Sequence, residues 1–483
     1  MSIRLAHQTL LAIAFFGLAC CLPAKEQSRS DLFQGVMEHS DDEMSRYRYL
    51  LTTLPQLSRE DKAVALQFLA ATENELGLYS EAVRDFPLRS QPMQRVDVPR
   101  ASDWEAVDAV DAIVKLAGER RIVMVNEAHH DAHTRILTLA LLPKLRAAGF
   151  NYFAAEALDG QDTDLSSRGF PVARSGSEYL HEPIYGDILR EAIRLGFKIV
   201  PYETVGHAGQ QREDGQAKNL YERVFAKDPE ARLFVHAGYA HIDKARGRLG
   251  PVTPMAERLQ QLTGIPPLSI DQTDIREDEP VSELDAATRA ESEYITSNSL
   301  LSARATTRQL LGTPSQKTYQ HPNLDIYEQI LSHFHLDKPF VLRNRSSGAI
   351  WSARPKAYDV SVILPIGNNR MSSYAQGPVN LRLGDRRFAI MPPASAGERP
   401  KWLTLDGTRK PVPVSTQPCR SSIPCLVEAH YADEPDNAIA ADRYVFVQDR
   451  QQNVLYLRPG RFRIRYVDAD GHMLGELQTE VSD

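Results

Sequence analysis

From Trp104 to about Asp274 the chain alternates short apolar runs with amphipathic stretches, and this restricts the fold more than any other feature of its 483 residues. The runs are RIVMV, NYFAAEAL, KIVPYE, ARLFVHAG and PLSIDQTD. Between them lie stretches with helical spacing: Ile136, Leu137, Leu139, Ala140, Leu141 and Leu145, then GDILREAIRLGF, AKNLYERVFAK and PMAERLQQLTG. A further helical pattern, with Val107, Val110, Ile113, Val114 and Ala117, precedes the first run. Parallel strands need long crossovers, and a sheet that is apolar throughout must be covered on both sides. The expected class is therefore α/β, a mainly parallel sheet with helices on both faces.

The flanks read differently. Arg4 precedes an apolar run, LLAIAFFGLACCL, from Leu10 to Leu22. It is shorter than the ~20 residues of a membrane span, and residues 1–24 are expected to be a secretory signal. Residues 31–100 read as a helical arm and linker. Within them ALQFLAATENELGLYSEAVRDF resembles one tetratricopeptide-like hairpin, which cannot bury its own face alone. SQPMQRVDVPRASD, residues 90–103, is the linker. The core with a helical extension is expected over 104–350. Segments such as VSVILPI, RYVFVQD and RFRIRYVDADG predict an antiparallel β-sandwich-like domain over 356–483.

A net charge of -7, with no basic run, excludes nucleic acid as a partner, and neither GxxxxGK[ST] nor GxGxxG occurs. Ligands of open parallel sheets bind beyond the carboxyl ends of the strands. Those ends deliver Glu127 with His129 and His130, then Glu156, Glu203, His236 with His241, and Asp271 with Asp274. Each has a plainer reading. His133 and Arg135 would be surface residues of a first helical turn, and Glu203 a helix cap or the partner of an arginine. Glu156, inside FAAEAL, is harder to dismiss, because a desolvated carboxylate needs a charged partner or a metal.

Four motifs in order are similar to those of the erythromycin esterase / ChaN / TIKI superfamily. NEAHH resembles the opening G-E-x-H motif, GFNYFAAEAL the second-strand glutamate motif, QREDGQAKNL the arginine helix and LFVHAGYAHI the G-x-x-H motif. The resemblance spans about residues 104–275. It implies catalytic roles for Glu127, His129 or His130, Glu156 and His241, with Arg212 as the helix arginine. Two spacings within the family select His129 and His130 respectively, and the usual opening glycine is Asn126 here. Members hydrolyse a macrolactone ester, cleave peptides with a divalent metal, or bind haem.

Carboxylates and imidazoles without a GxSxG elbow favour attack by activated water, with an arginine for the oxyanion. The expected function is an exported hydrolase acting on an ester, lactone or amide of a small molecule or peptide. The alternatives are a metal- or haem-binding protein and a non-catalytic binding module. His129, Glu156 and His241 are the metal-ligand candidates, and His129, His241 and Tyr202 the haem candidates; His133, Arg135, Glu203, Arg212 and His236 complete the binding set. Export to the periplasm or cell envelope leaves Cys419 and Cys425, six residues apart, as an expected disulfide. Membrane anchoring is expected only if Cys20 or Cys21 is lipidated. Mass spectrometry of protein from its native host is expected to find a mature chain starting between about residues 20 and 25, and an intact Met1 would contradict export.

Overall fold

The computed structural model describes residues 29–39, 42–86, 96–204, 206–277, 322–367, 379–383, 386–390 and 399–482. The signal, with Cys20 and Cys21, and most of the helical extension lie outside the described residues. The arm comprises α1 (Arg29–Glu38), α2 (Glu43–Thr53), α3 (Arg59–Glu75) and α4 (Tyr79–Asp85). The core begins with β1 (Trp104–Asp108), α5 (Ala109–Ala117), β2 (Ile122–Glu127), α6 (Ile136–Ala147), β3 (Tyr152–Ala155) and the short α7 (Leu165–Arg168). It continues with α8 (Pro183–Arg194), β4 (Lys198–Pro201), α9 (Gly209–Leu220), β5 (Leu233–Gly238), α10 (Met255–Thr263) and β6 (Leu268–Asp271). After these come α11 (Pro322–His333), β7 (Phe340–Asn344) and β8 (Val360–Ser361).

Six strands form one parallel sheet in the order β4-β3-β5-β2-β6-β8. Side-chain alternation divides its two faces. Val123, Val125, Phe153, Ala155 and Phe234 pack with α5, α6 and α8. Ile122, Met124, Tyr152, Ala154, Leu233 and Val235 pack with α9 and α10. Both faces are thus covered by helices, as the alternation predicts. Full burial of each Val, Ile, Leu, Met or Phe side chain among them is worth about 1.5–3 kcal/mol.

Two details differ from the sequence pattern. Trp104–Asp108 is not helical but pairs antiparallel with β7. The helix begins only at Ala109, because the Asp108 carboxylate caps it by accepting from the Asp111 N–H at 3.0 Å. Val360–Ser361, within VSVILPI, pairs in parallel with β6 and belongs to the central sheet. Alternation marks a strand but not the sheet it joins.

The C-terminal part contains β9 (Val379–Leu383) and β10 (Arg386–Ile390), then β11 (Lys410–Ser415), β12 (Cys425–Tyr431), β13 (Asp442–Phe446), β14 (Gln452–Leu457), β15 (Gly460–Asp468) and β16 (Met473–Val481). The antiparallel sheets β13-β12-β15-β16 and β11-β14 enclose one apolar core containing Val427, Phe446, Leu455 and Ile464. The outer face of the larger sheet is covered as well. Leu426, Val445 and Val467 pack with Leu32, Leu50 and Leu69 of the arm, so the hairpin finds there the partner it lacks by itself. Cys419 and Cys425 are disulfide-bonded, with Cα atoms 6.0 Å apart, as befits a chain that folds in an oxidising compartment. Among the described residues no helix is long and apolar enough to cross a membrane.

His133 is a core residue, not a ligand-binding one. Its ring stacks on Trp402 at 5.2 Å, its Nε2 is buried without a hydrogen-bond partner, and burial pulls it down to about 3. The unfolded chain therefore takes up this proton first, and stability falls as pH drops from about 6.5 to about 3, by about 1.4 kcal/mol per pH unit. Urea unfolding between about pH 6.5 and pH 5 is expected to show a pH slope smaller by about one proton in His133→Phe than in wild type, the other buried histidines contributing equally to both.

Candidate active site

Two arginine-centred clusters lie at the carboxyl edge of the sheet, on opposite faces. Glu127, at the end of β2, points to the α6/α8 face. Its Oε2 accepts from Arg135 Nε at 2.6 Å and lies 3.3 Å from His236 Nε2, while Oε1 contacts His129 Nδ1 at 2.9 Å. Arg135 is fully buried and also donates to Glu182 at 3.0 Å and to the His129 carbonyl at 3.2 Å. Glu182 caps α8 by accepting from the N–H groups of Ile184 and Tyr185, at 2.8 and 3.0 Å. Burial alone would raise the Glu127 pKa, but Arg135, His236 and His129 together hold it well below the usual carboxylate range.

Glu156 follows β3 and points to the α9/α10 face. Oε1 accepts from Arg212 Nη2 at 2.5 Å and lies 3.6 Å from His241 Nε2, while Oε2 accepts from the Gly238 N–H. Arg212 also donates to Glu203 at 3.2 Å and stands 3.1 Å from His241 Nε2. His241 Nδ1 is 2.7 Å from Glu213 Oε1. Burial would raise Glu156, yet His241, His129 and Arg212 bring it down to about 2. Burial would lower His241, and Glu156 with Glu213 outweigh that, so it is raised.

The clusters meet above Gly238. A Cβ there would stand 2.4 Å from His129 Nε2 and 3.1 Å from Glu156 Oε2, so only glycine lets ring and carboxylate share this space. The carboxylate of Glu127 accepts only, so Nδ1 of neutral His129 carries the proton and Nε2 presents its lone pair. Tyr179 stacks on the ring at 4.1 Å, and Tyr239 meets it edge-on at 5.1 Å. Side-chain exposure separates the roles: Arg212 31%, Glu203 27% and His129 15%, against 2% for Glu127.

Of the expected residues, Glu127, His129, Glu156, Glu203, Arg212 and His241 come together at or beside this opening. Arg135 and His236 are fully buried and support Glu127 from behind; neither is open to a ligand. His130 points away, with Nδ1 2.8 Å from the Tyr239 hydroxyl and its ring on Phe86; burial, with Arg276 next, holds its pKa well below the usual histidine range. Asp271 and Asp274 instead pair with Arg248, at 2.7 and 3.4 Å. Asn126, in the glycine position of the resemblance, ties strand ends together by donating to the Tyr239 carbonyl at 2.7 Å and accepting from Gln272 N at 2.9 Å. Sequence reading missed Tyr179, Glu182, Glu213 and Tyr239. Of these, Glu213 and Tyr239 sit inside the quoted motifs and could have been found there; Tyr179 and Glu182 carry no local signal.

These donors do not fit a divalent cation. The Arg212 guanidinium already lies between Glu156 and His241, and a metal would have to displace it. Among the described residues, the groups of three or more His, Cys, Asp or Glu side chains close enough to share an ion are Glu43, Glu75, His181 and Asp468, Asp470, His472, none of which belongs to the two clusters. Of the haem candidates, His241 has Nε2 3.1 Å from the Arg212 guanidinium and buried Tyr202 donates to the His236 carbonyl at 3.2 Å, so only His129, with its Nε2 lone pair, offers a ligand atom among these three. A cavity of about 320 Å³ between the arm and residues 173–181, lined by Met37, Phe68 and His181, contains none of the two clusters' residues.

No family model and no curated protein matches the chain. Among solved structures, a bacterial protein toxin is 17% identical over 34% of this chain and 37% of its own, with a TM-score of 0.26. The type III effector HopBA1 is 16% identical over 39% of this chain and 91% of its own, at 0.27. RRSP, a MARTX toxin effector domain from Vibrio vulnificus CMCP6, is 15% identical over 48% and 42%, at 0.24. The first match spans only about a third of that toxin chain, and likenesses this weak decide neither fold nor chemistry.

Gly238→Ala is expected to test the close approach. The φ of Gly238 is -75°, so alanine adds no backbone strain and acts chiefly by displacing His129, with a lesser push on the Glu156 carboxylate. Histidine ring NMR is expected to show the Nδ1–Glu127 hydrogen bond lost at nearly unchanged melting temperature; an unmoved His129 would refute the crowding.

Proposed function

We propose that this chain is an exported hydrolase that uses the Glu127–His129 pair to activate water against an ester, lactone or amide. One observation carries the reading: a partly exposed imidazole is fixed at Nδ1 by a buried anionic carboxylate, with Nε2 over Gly238, where the Glu156 carboxylate held by Arg212 also reaches. Here the lone pair of His129 Nε2 takes a proton as the water oxygen attacks the carbonyl carbon. Glu127 holds the tautomer and balances the imidazolium; itself buried and locked by Arg135, it is not the base. The more exposed Arg212 offers N–H groups to the developing oxyanion. Collapse breaks the acyl bond, and the leaving oxygen or nitrogen takes the proton that the His129 imidazolium gained from water, which returns His129 to its neutral form. The products are a carboxylic acid and an alcohol or amine. Export is supported by the disulfide and by the apolar segment after Arg4.

With chromogenic esters, His129→Gln is expected to lower turnover by about 10²–10⁴-fold while leaving stability near wild type. Glu127→Gln is expected to lower both, since it strips the buried Arg135 of a partner, a loss of about 3–5 kcal/mol. Hydrolysis undiminished in His129→Gln would end this reading.

A further inference from the structure

We propose that the N-terminal helical arm is part of the active centre and holds His129 in place, with Phe86, His130 and Tyr239 as positioning residues. This rests on the hydrolase reading of the site for the role of His129. The arm lies outside the segment that carries the motifs, yet its tip reaches them directly. Phe86, which ends α4, stacks on His130 with ring centroids 3.7 Å apart and planes 3° from parallel. Phe86 also packs with Ala70 and Ala82 of the arm, against Tyr239. His130 in turn contacts the Tyr239 hydroxyl through Nδ1 at 2.8 Å.

Tyr239 is held in a backbone state it would not choose. Its φ is +40°, a left-handed conformation that a bulky side chain adopts only when its surroundings impose it. Asn126, bonded to its carbonyl, and His130, bonded to its hydroxyl, grip it from two sides. The result is a ring set edge-on to His129, 88° from its plane, while Tyr179 covers one flat face of the same imidazole. A second line runs through the backbone, where Asn74 of α3 donates its Nδ2 to the His129 carbonyl at 3.0 Å. Packing alone does not require these contacts, because the arm already buries its apolar side on the β12–β15 sheet. The tip instead presents an aromatic ring to His130 and Tyr239, and the end of α3 presents an amide to the His129 carbonyl.

The test uses the full chain with ring-¹⁵N histidine, comparing wild type, Phe86→Ala, Phe86→Tyr and Tyr239→Phe. Wild type is expected to show His129 as a single Nδ1–H tautomer. Phe86→Ala and Tyr239→Phe are expected to give mixed tautomers and a shifted titration midpoint, with turnover of a chromogenic ester down about tenfold or more at little change in KM. Phe86→Tyr keeps the stacking ring and is expected to restore the wild-type spectrum. Tyr239→Phe removes a single oxygen, so it decides the matter even if Phe86→Ala fails to fold. An unchanged His129 tautomer and midpoint in folded Tyr239→Phe would overturn the positioning role. The NMR outcome stands whether or not the wild type hydrolyses esters, so failure of the hydrolase reading is seen separately.

Discussion

A cation with no access to water, Arg135, is the constraint on which the rest of this structure depends. Its guanidinium joins Glu127 at the end of β2 to Glu182 at the start of α8, and also reaches the His129 carbonyl. The Glu182 carboxylate, besides capping α8, accepts from the Tyr79 hydroxyl of the arm at 3.1 Å. Breaking such a pair leaves an uncompensated buried charge, so strand, helix and arm are held to one arrangement.

The second cluster uses the same parts to a different end. Arg212 likewise sits between two glutamates, 156 and 203, with a histidine beside them, as His236 lies beside Glu127. What differs is water. Arg135 is sealed, whereas nearly a third of the Arg212 side chain is exposed. A sealed charge can only orient its neighbours, while an exposed one can exchange a carboxylate partner for a substrate oxygen. Between the two, over Gly238, stands the imidazole of His129, bonded to Glu127 and sharing the space above the glycine with Glu156.

The outer parts of the chain serve this arrangement by packing. The C-terminal sandwich gives the arm an apolar wall, and the arm carries Phe86 and Asn74 to the site. The sandwich also grips the core directly, through Arg190 on α8, which donates to Glu434 at 2.7 Å. A segment with no chemistry of its own thus bears on the position of residues that have it.

The fold class was legible because strand and helix periods are local, and parallel strands with two buried faces admit few arrangements. Glu127, Glu156 and His241 were legible for a similar reason: each sits at or just beyond the carboxyl end of an apolar run. The periodicity could not separate His129 from His130, since adjacent side chains diverge and only the packed neighbours, Glu127 for one and Phe86 for the other, show which faces the site. Nor could it show that Arg135 and His133 are buried, because burial depends on what a distant segment lays over them, Glu182 in one case and Trp402 in the other. By itself the sequence determined which groups stand at one edge of the sheet. Only the tertiary structure decided which of them meet water and which are sealed, because solvent exposure is set by the packing of chain segments far apart in sequence.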